Sequence, residues 1–152
     1  MAGTNTINTR KMITAGLGAG VIINVIDVLV NEFVLGSATA ADLTAVSPML
    51  WSALNAPANI ALFVAIDFVL GLSIVWLYAA IRPRYGPGAA TAVRAAAFVW
   101  LVASLMWIFF YAMGLSTLGH YLAGAACSLV NYLVAGLAGG RLYGEPGALA
   151  DG

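Results

Sequence analysis

The sequence predicts an all-α integral membrane four-helix bundle, and three observations carry that prediction. The 152 residues are 62% hydrophobic and only 8% charged, with mean hydropathy +0.98, whereas a soluble domain is about a quarter charged. Four apolar runs reach the ~20 residues that a helix needs to cross ~30 Å of hydrocarbon: Met12 to Leu35, Ala58 to Ile81, Ala95 to Met113 and Leu118 to Gly140. Threading the chain through those runs puts all six basic residues on one side. Six acidic and six basic side chains cannot cover a water-soluble sphere, so a soluble enzyme, a nucleic-acid binder and a disordered chain are excluded.

The lead from Met1 to Thr9 is polar and lacks the small-residue cleavage pattern of a signal peptide, so the first run is read as a retained span. The connection Gly36 to Pro57 is polar and Ala-rich. Within it, Ser47 and Pro48 read as the N-cap and first position of a short helix carrying Met49, Leu50, Trp51 and Leu54, lying in the outer interface. The second connection, Arg82 to Gly88, is a tight turn in which Pro83 and Pro87 stop the second helix. The third is the short link Gly114 to Thr117. Short links make sequential helices antiparallel neighbours.

Arg10 and Lys11 precede span one, Arg82, Arg84 and Arg94 lie between spans two and three, and Arg141 follows span four. The positive-inside rule then places both termini in the cytoplasm, with Glu32 and Asp42 on or near the outer side. Aromatic residues mark both interfaces, with Phe33, Trp51, Phe109, Phe110, Tyr111 and Tyr121 outside and Trp76, Tyr78, Tyr85 and Tyr143 inside. Arg82, Arg84 and Arg94 are placed to pair with lipid phosphate at the inner headgroup plane.

The segment Tyr78-Ala-Ala-Ile-Arg-Pro-Arg-Tyr-Gly-Pro-Gly88, with the Asn-x-x-Asp and Ile-Asp-Phe segments before it, resembles small uncharacterised bacterial four-span membrane proteins that share an Ile-Arg-Pro-Arg-x-Gly-Pro-Gly cytoplasmic turn. The resemblance covers spans one and two and the turn. It implies a bacterial inner-membrane location and the same topology, and it brings no catalytic residue.

Each span carries one stripe of small and polar residues at alternating three and four spacing, which puts them on one helical face. In span one the stripe is Gly16, Gly20, Asn24, Asp27 and Asn31; in span two, Phe63, Asp67, Gly71 and Tyr78. In span three it is Ala97, Trp100, Ser104, Trp107 and Tyr111, and in span four His120, Gly124, Cys127, Asn131 and Ala135. Glycines on such a face let neighbouring backbones approach closely. At ~1.5 Å per residue, Asp27 and Asp67 fall at nearly the same depth, roughly 12 to 14 Å from the outer boundary. An Asp at a helix centre costs roughly 2.5–3.5 kcal/mol on insertion scales, and no Lys, Arg or His lies in the hydrocarbon to neutralise the two.

The expected polar layer is therefore Asp27, Asp67, Asn24 and Asn31, with Ser104 and Asn131. It reads either as a proton or monovalent-cation site or as a set of side-chain hydrogen bonds fastening spans one and two. His120 is expected to hydrogen-bond at the interface, since one His without a second His or Cys makes a poor metal site. Cys127 reads as a small packing residue and the Trp100, Trp107 and Tyr111 stripe as core. No cofactor and no metal is expected.

The function expected first is that of a non-enzymatic accessory or structural subunit, packed against a larger membrane complex or against itself. Gly136, Gly139 and Gly140 offer it a close-packing surface, or else close the bundle. Proton or monovalent-cation binding or transport is the near-equal alternative. An intramembrane aspartic hydrolase is the remote one: Asn24-x-x-Asp27 and the Asp before Phe68 resemble the acid pair of the four-span lipoprotein signal peptidases. The chain departs from that pattern by lacking the Arg after the first acid, by a longer separation of the acids, and by placing both in spans one and two.

Overall fold

The computed structural model describes residues 7–144; of the polar lead, Met1 to Thr6 lie outside them. The helices are α1 (Thr9–Val30), α2 (Gly36–Val46), α3 (Pro48–Leu54), α4 (Pro57–Tyr85), α5 (Ala89–Ala112) and α6 (Leu118–Tyr143), with a π-helical turn, Asn31–Leu35, joining α1 to α2. Among the described residues there is no strand, and four helices are long and apolar enough to cross a membrane. This is the architecture of a multi-pass helical membrane protein.

Two helix boundaries differ from expectation. The stretch after Leu35 is helical through Val46 rather than a loop, so α1, the π turn and α2 form one rod of 38 residues, about 57 Å long at 1.5 Å per residue. Five of the eleven residues of α2 are Ala or Leu, which favour helix. The turn after span two is also shorter, because α4 runs through Pro83 to Tyr85 and α5 already begins at Ala89. Arg82 and Arg84 in the last turn complement the helix dipole. The reversal is left to Gly86 (φ 81°) and Gly88 (φ 123°), both in the region that only glycine adopts freely.

Caps fix several helix starts. Asn8 accepts from the Lys11 amide (3.0 Å), Ser47 from Met49 (3.3 Å) and Thr117 from His120 (3.2 Å). The short helix predicted at Pro48 is present, with the predicted cap.

The helices stand in the cyclic order α1, α4, α5, α6, and α4 meets α6 across the bundle. One end, here the base, gathers Asn8, the Gly86–Gly88 turn and Tyr143. The Asn8 amide donates to the Tyr143 hydroxyl (3.2 Å), the Gly88 amide to the Tyr78 hydroxyl (3.3 Å), and the Thr91 hydroxyl to the Gly86 carbonyl (2.8 Å). Tyr78 and Tyr143 pack edge to face at 6.0 Å. The top carries α2, α3 and the link from Met113 to Thr117.

Packing is concentrated at the base. Gly16 and Gly20 lie against Leu72 and Phe68, and Gly71 against the Gly20 and Gly16 backbone, where a Cβ on Gly71 would fall 2.7 Å from the Gly16 carbonyl oxygen. This is the close helix crossing that the glycine spacing of span one predicts. Gly136, Gly139 and Gly140 close the bundle rather than face outward. A Cβ on Gly136 would fall 2.7 Å from the Ala96 Cβ, one on Gly139 2.6 Å from Val75 Cγ2 and 3.2 Å from the Ala19 Cβ, and one on Gly140 3.0 Å from the Ala92 Cβ. One face of α6 thus receives all three other long helices.

Toward the top, α4 and α5 come away from their neighbours. Residues 60–66 of α4 and 105–112 of α5 are exposed around the whole helix. The expected stripe of span three is therefore core only in part: Ser104 is buried and Trp100 half-buried, but Trp107 is 51% and Tyr111 42% exposed. Phe63, at the top of the span-two stripe, is exposed as well. Aromatic side chains in lipid need no protein core, so periodicity alone does not hold them inside.

Candidate functional site

The site is assembled on α1, α4 and α6 just above the glycine crossing. Asn131, on α6 one turn above Ala135, is fully buried at 0% exposure. Its amide nitrogen donates to the Asp27 Oδ1 carboxylate oxygen (2.7 Å) and to the Ile23 carbonyl (3.2 Å), both on α1. Both amide hydrogens are spent, which fixes the orientation of the group and leaves Asn131 Oδ1 a pure acceptor. That oxygen is buried and has no hydrogen-bond partner. A buried acceptor without a donor costs about 1–3 kcal/mol, so it calls for an explanation.

Asp67 lies on α4, a helix that packs against both α1 and α6. Tyr132, beside Asn131 on α6, is 6% exposed. The Asp27 and Asp67 side chains are both half-buried. Among the described residues the one ion pair, His120 with Asp42, is elsewhere, so no cationic side chain bonds to either acid. The Asp27 carboxylate bonded to Asn131, and the second carboxylate, Asp67, on the neighbouring α4, are oxygen groups of the kind that suit a hard cation or a proton.

The other expected members are placed as follows. Asn24 bridges α1 to α4, its amide donating to the Gly20 carbonyl (3.0 Å) and the Val64 carbonyl (3.4 Å), and so fastens the helices beside the acids. Asn31 is exposed and does not join the layer; its amide donates to the Asp27 backbone carbonyl (2.9 Å), within its own helix. Its backbone amide also bonds to the Asp27 carbonyl four residues back, so Asn31 keeps the α-helical register and is exposed on it. Ser104 is buried on α5, which does not pack on α1, and no hydrogen bond links it to the acids; its carbonyl accepts from the Tyr121 hydroxyl (3.0 Å). Tyr132 was not expected here. Its position next to Asn131, in the turn that carries Ala135 and Gly136, is the signal that could have found it.

A second polar cluster sits at the top. His120 Nδ1 lies 2.7 Å from Asp42 Oδ2, and His120 Nε2 lies 3.2 Å from the Thr39 hydroxyl. The same Asp42 oxygen accepts from the Thr117 amide (3.2 Å), and the Thr39 hydroxyl is 3.0 Å from the Leu35 carbonyl. His120 therefore does hydrogen-bond, and its partners come from a stretch expected to be a loop. Cys127 is a half-buried free thiol.

At the base, the Arg84 and Arg94 guanidinium groups lie 5.9 and 5.0 Å from the centre of the Tyr85 ring, and Arg82 lies 5.9 Å from that of Tyr143. These cation–π contacts hold the three arginines around the short turn. No family model, curated protein or solved structure matches the chain.

Proposed function

We propose that the protein is a non-enzymatic, multi-pass protein of the bacterial inner membrane, with its base in the cytoplasm, that binds a proton or a monovalent cation between Asp27, Asn131 and Asp67. The observation that carries this reading is the orphaned Asn131 oxygen. The amide is pinned by both of its hydrogens to α1, one of them on the Asp27 carboxylate, and its buried oxygen, which faces no donor, is a ready ligand. A purely structural set of hydrogen bonds has no use for a second acid that bonds to nothing, and none of the hydrogen bonds among the described residues includes the Asp67 carboxyl. The six basic residues at the base agree with a cytoplasmic base, and Arg82, Arg84 and Arg94 stand where lipid phosphate lies in that orientation.

The test is melting of the purified protein in detergent, across pH and with sodium or potassium replaced by choline at constant ionic strength. The expected result is a melting temperature that responds to pH or to the cation and loses that response in Asp67→Asn. A melting temperature indifferent to both would end the reading. In reconstituted vesicles, flux that survives Asp27→Asn and Asp67→Asn together would exclude transport through this site.

The accessory-subunit reading stands second. It is favoured by the upper parts of α4 and α5, which expose apolar side chains on every face. A defined stoichiometric complex purified from the native membrane would move it to first place.

A further inference from the structure

We infer that the top of the molecule is a proton-operated latch: His120, held between Asp42 and Thr39, ties α2 to the start of α6 when its ring carries two protons and loosens that tie when it carries one. The inference follows from counting hydrogens. The Thr39 hydroxyl has one, and it lies 3.0 Å from the Leu35 carbonyl and 3.2 Å from His120 Nε2. When Thr39 donates to Leu35, its oxygen can only accept from the ring, so Nε2 carries a hydrogen. Nδ1 faces a carboxylate oxygen at 2.7 Å, which also only accepts, so Nδ1 carries one too. With all of these bonds made, the ring is an imidazolium paired with Asp42.

Removal of the Nε2 proton to solvent changes both ends of the chain of bonds. Nδ1–H remains with Asp42, now as a neutral donor, and Nε2 becomes an acceptor. The Thr39 hydrogen must swing to Nε2, and the Leu35 carbonyl loses its side-chain donor. Leu35 is the last residue of the π turn that joins α1 to α2. One proton thus sets both the strength of the clasp and the side-chain bonding at that turn.

Little else holds α2 down. Leu43 is the one buried residue among its eleven, and Asp42 and Thr39 supply its side-chain bonds to α6 and the link before it. The charged group facing His120 is Asp42. The other groups around the pair are the hydroxyls of Thr39, Thr117 and Ser116, which do not titrate in this range. Glu32, on the π turn that packs against α6, is exposed and forms no ion pair. Histidine is the side chain that ordinarily changes charge between pH 5 and 8. The sign follows from the hydrogen count: the clasp is strongest with both ring nitrogens protonated and weakens when the ring loses a proton.

His120 is the one histidine of the chain, so ¹⁵N NMR of labelled protein reads its ring without ambiguity. The expected result is two protonated nitrogens at low pH and a neutral Nδ1–H ring at high pH; a neutral ring protonated at Nε2 overturns the hydrogen count. Amide exchange of residues 36–46, corrected for its intrinsic pH dependence, should show protection about tenfold lower at about pH 8 than at about pH 5.5. His120→Gln should abolish that difference without changing exchange in α4 and α5, and Asp42→Asn should lower protection at both values. Equal protection at the two pH values, or a difference that persists in His120→Gln, overturns the latch. A cation response in the melting experiment without any pH effect on α2 sinks the latch alone, whereas a working latch whose pH effect on melting persists in Asp67→Asn, with no response to sodium or potassium, sinks the cation reading alone.

Discussion

The lower and upper halves of the bundle are built from equally apolar sequence and packed in opposite ways. At the base, alanines and glycines of all four long helices interlock: Ala15, Ala19 and Ile23 of α1, Ile74 and Val75 of α4, Ala92, Ala95 and Ala96 of α5, and Ala135 and the three glycines of α6 are all buried. At the top, large residues such as Phe63, Leu105, Phe109 and Leu122 are exposed. Lipid tails solvate leucine as well as another leucine does, so side-chain size decides the outcome more than apolarity does. Small residues bring backbones together at the base, and bulky ones leave them apart above. Asp27, Asn131 and Asp67 lie where the packed half gives way to the open one, with Asn131 fully buried and the two acids half-buried.

The sharpest way to break this comparison is to put bulk where the helices touch. Gly71→Leu should cost about 3 kcal/mol or more, because the new side chain meets backbone atoms of Gly16 and Gly20 that cannot move aside. Loss of the folded form in reversible detergent unfolding is the expected readout. Gly124→Leu is the matching change in the upper half of α6, where the nearest atom to a Cβ is Leu35 Cδ1 at 3.8 Å; it should cost less than about 1 kcal/mol. Equal losses for the two would dissolve the distinction between the halves.

At the boundary, Asn131→Leu removes the amide that holds Asp27 and should cost about 1–3 kcal/mol. The same substitution should remove any cation response in the melting experiment. A variant that melts higher than the parent and keeps the response would show that the amide neither ties the helices nor binds the ion. Trp100→Phe deletes the 2.8 Å bond from the indole to the Ala125 carbonyl, which joins α5 to α6 just below the point where α5 comes away. The expected loss is about 1 kcal/mol by the same unfolding measurement. The smallest effect belongs to Phe109→Ala, within about 0.5 kcal/mol of the parent, since the ring lies against no protein core. A loss of several kcal/mol there would mean that the upper half of α5 is packed in the membrane against something other than lipid.

The residues themselves explain why some of this was legible in advance. Gly16, Gly20 and Gly71 announced their crossing because small residues at helical spacing have few other uses in an apolar run. Counting along straight helices put Asp27 and Asp67 at nearly one depth, and the stripe of span four named Asn131, which the structure bonds to Asp27. Asn31 keeps its register but is exposed, since a count along one helix does not say whether a neighbour covers the residue. Trp107 and Tyr111 share a stripe with Ser104 but not its burial, because a stripe says which side chains lie together and not how far up a neighbouring helix stays in contact. Thr39 and Asp42 were passed over inside a stretch read as a loop. Their spacing of three residues would have put them on one helical face, but their partner His120 lies 81 and 78 positions away.

Sequence alone determined how many helices are long and apolar enough to cross a membrane, where glycine lets two of them touch, and which acids share a level. Each of these depends on length, spacing or side-chain volume along a single helix. Tertiary structure decided that α6 is the element on which the other three close, that α4 and α5 come away above Ser104, and that α2 is tied down through His120. Those outcomes depend on the tilt and rotation of whole helices. In lipid, apolarity does not distinguish a packed face from a solvated one, so tilt and rotation are set only when the small and polar side chains of different helices find one another.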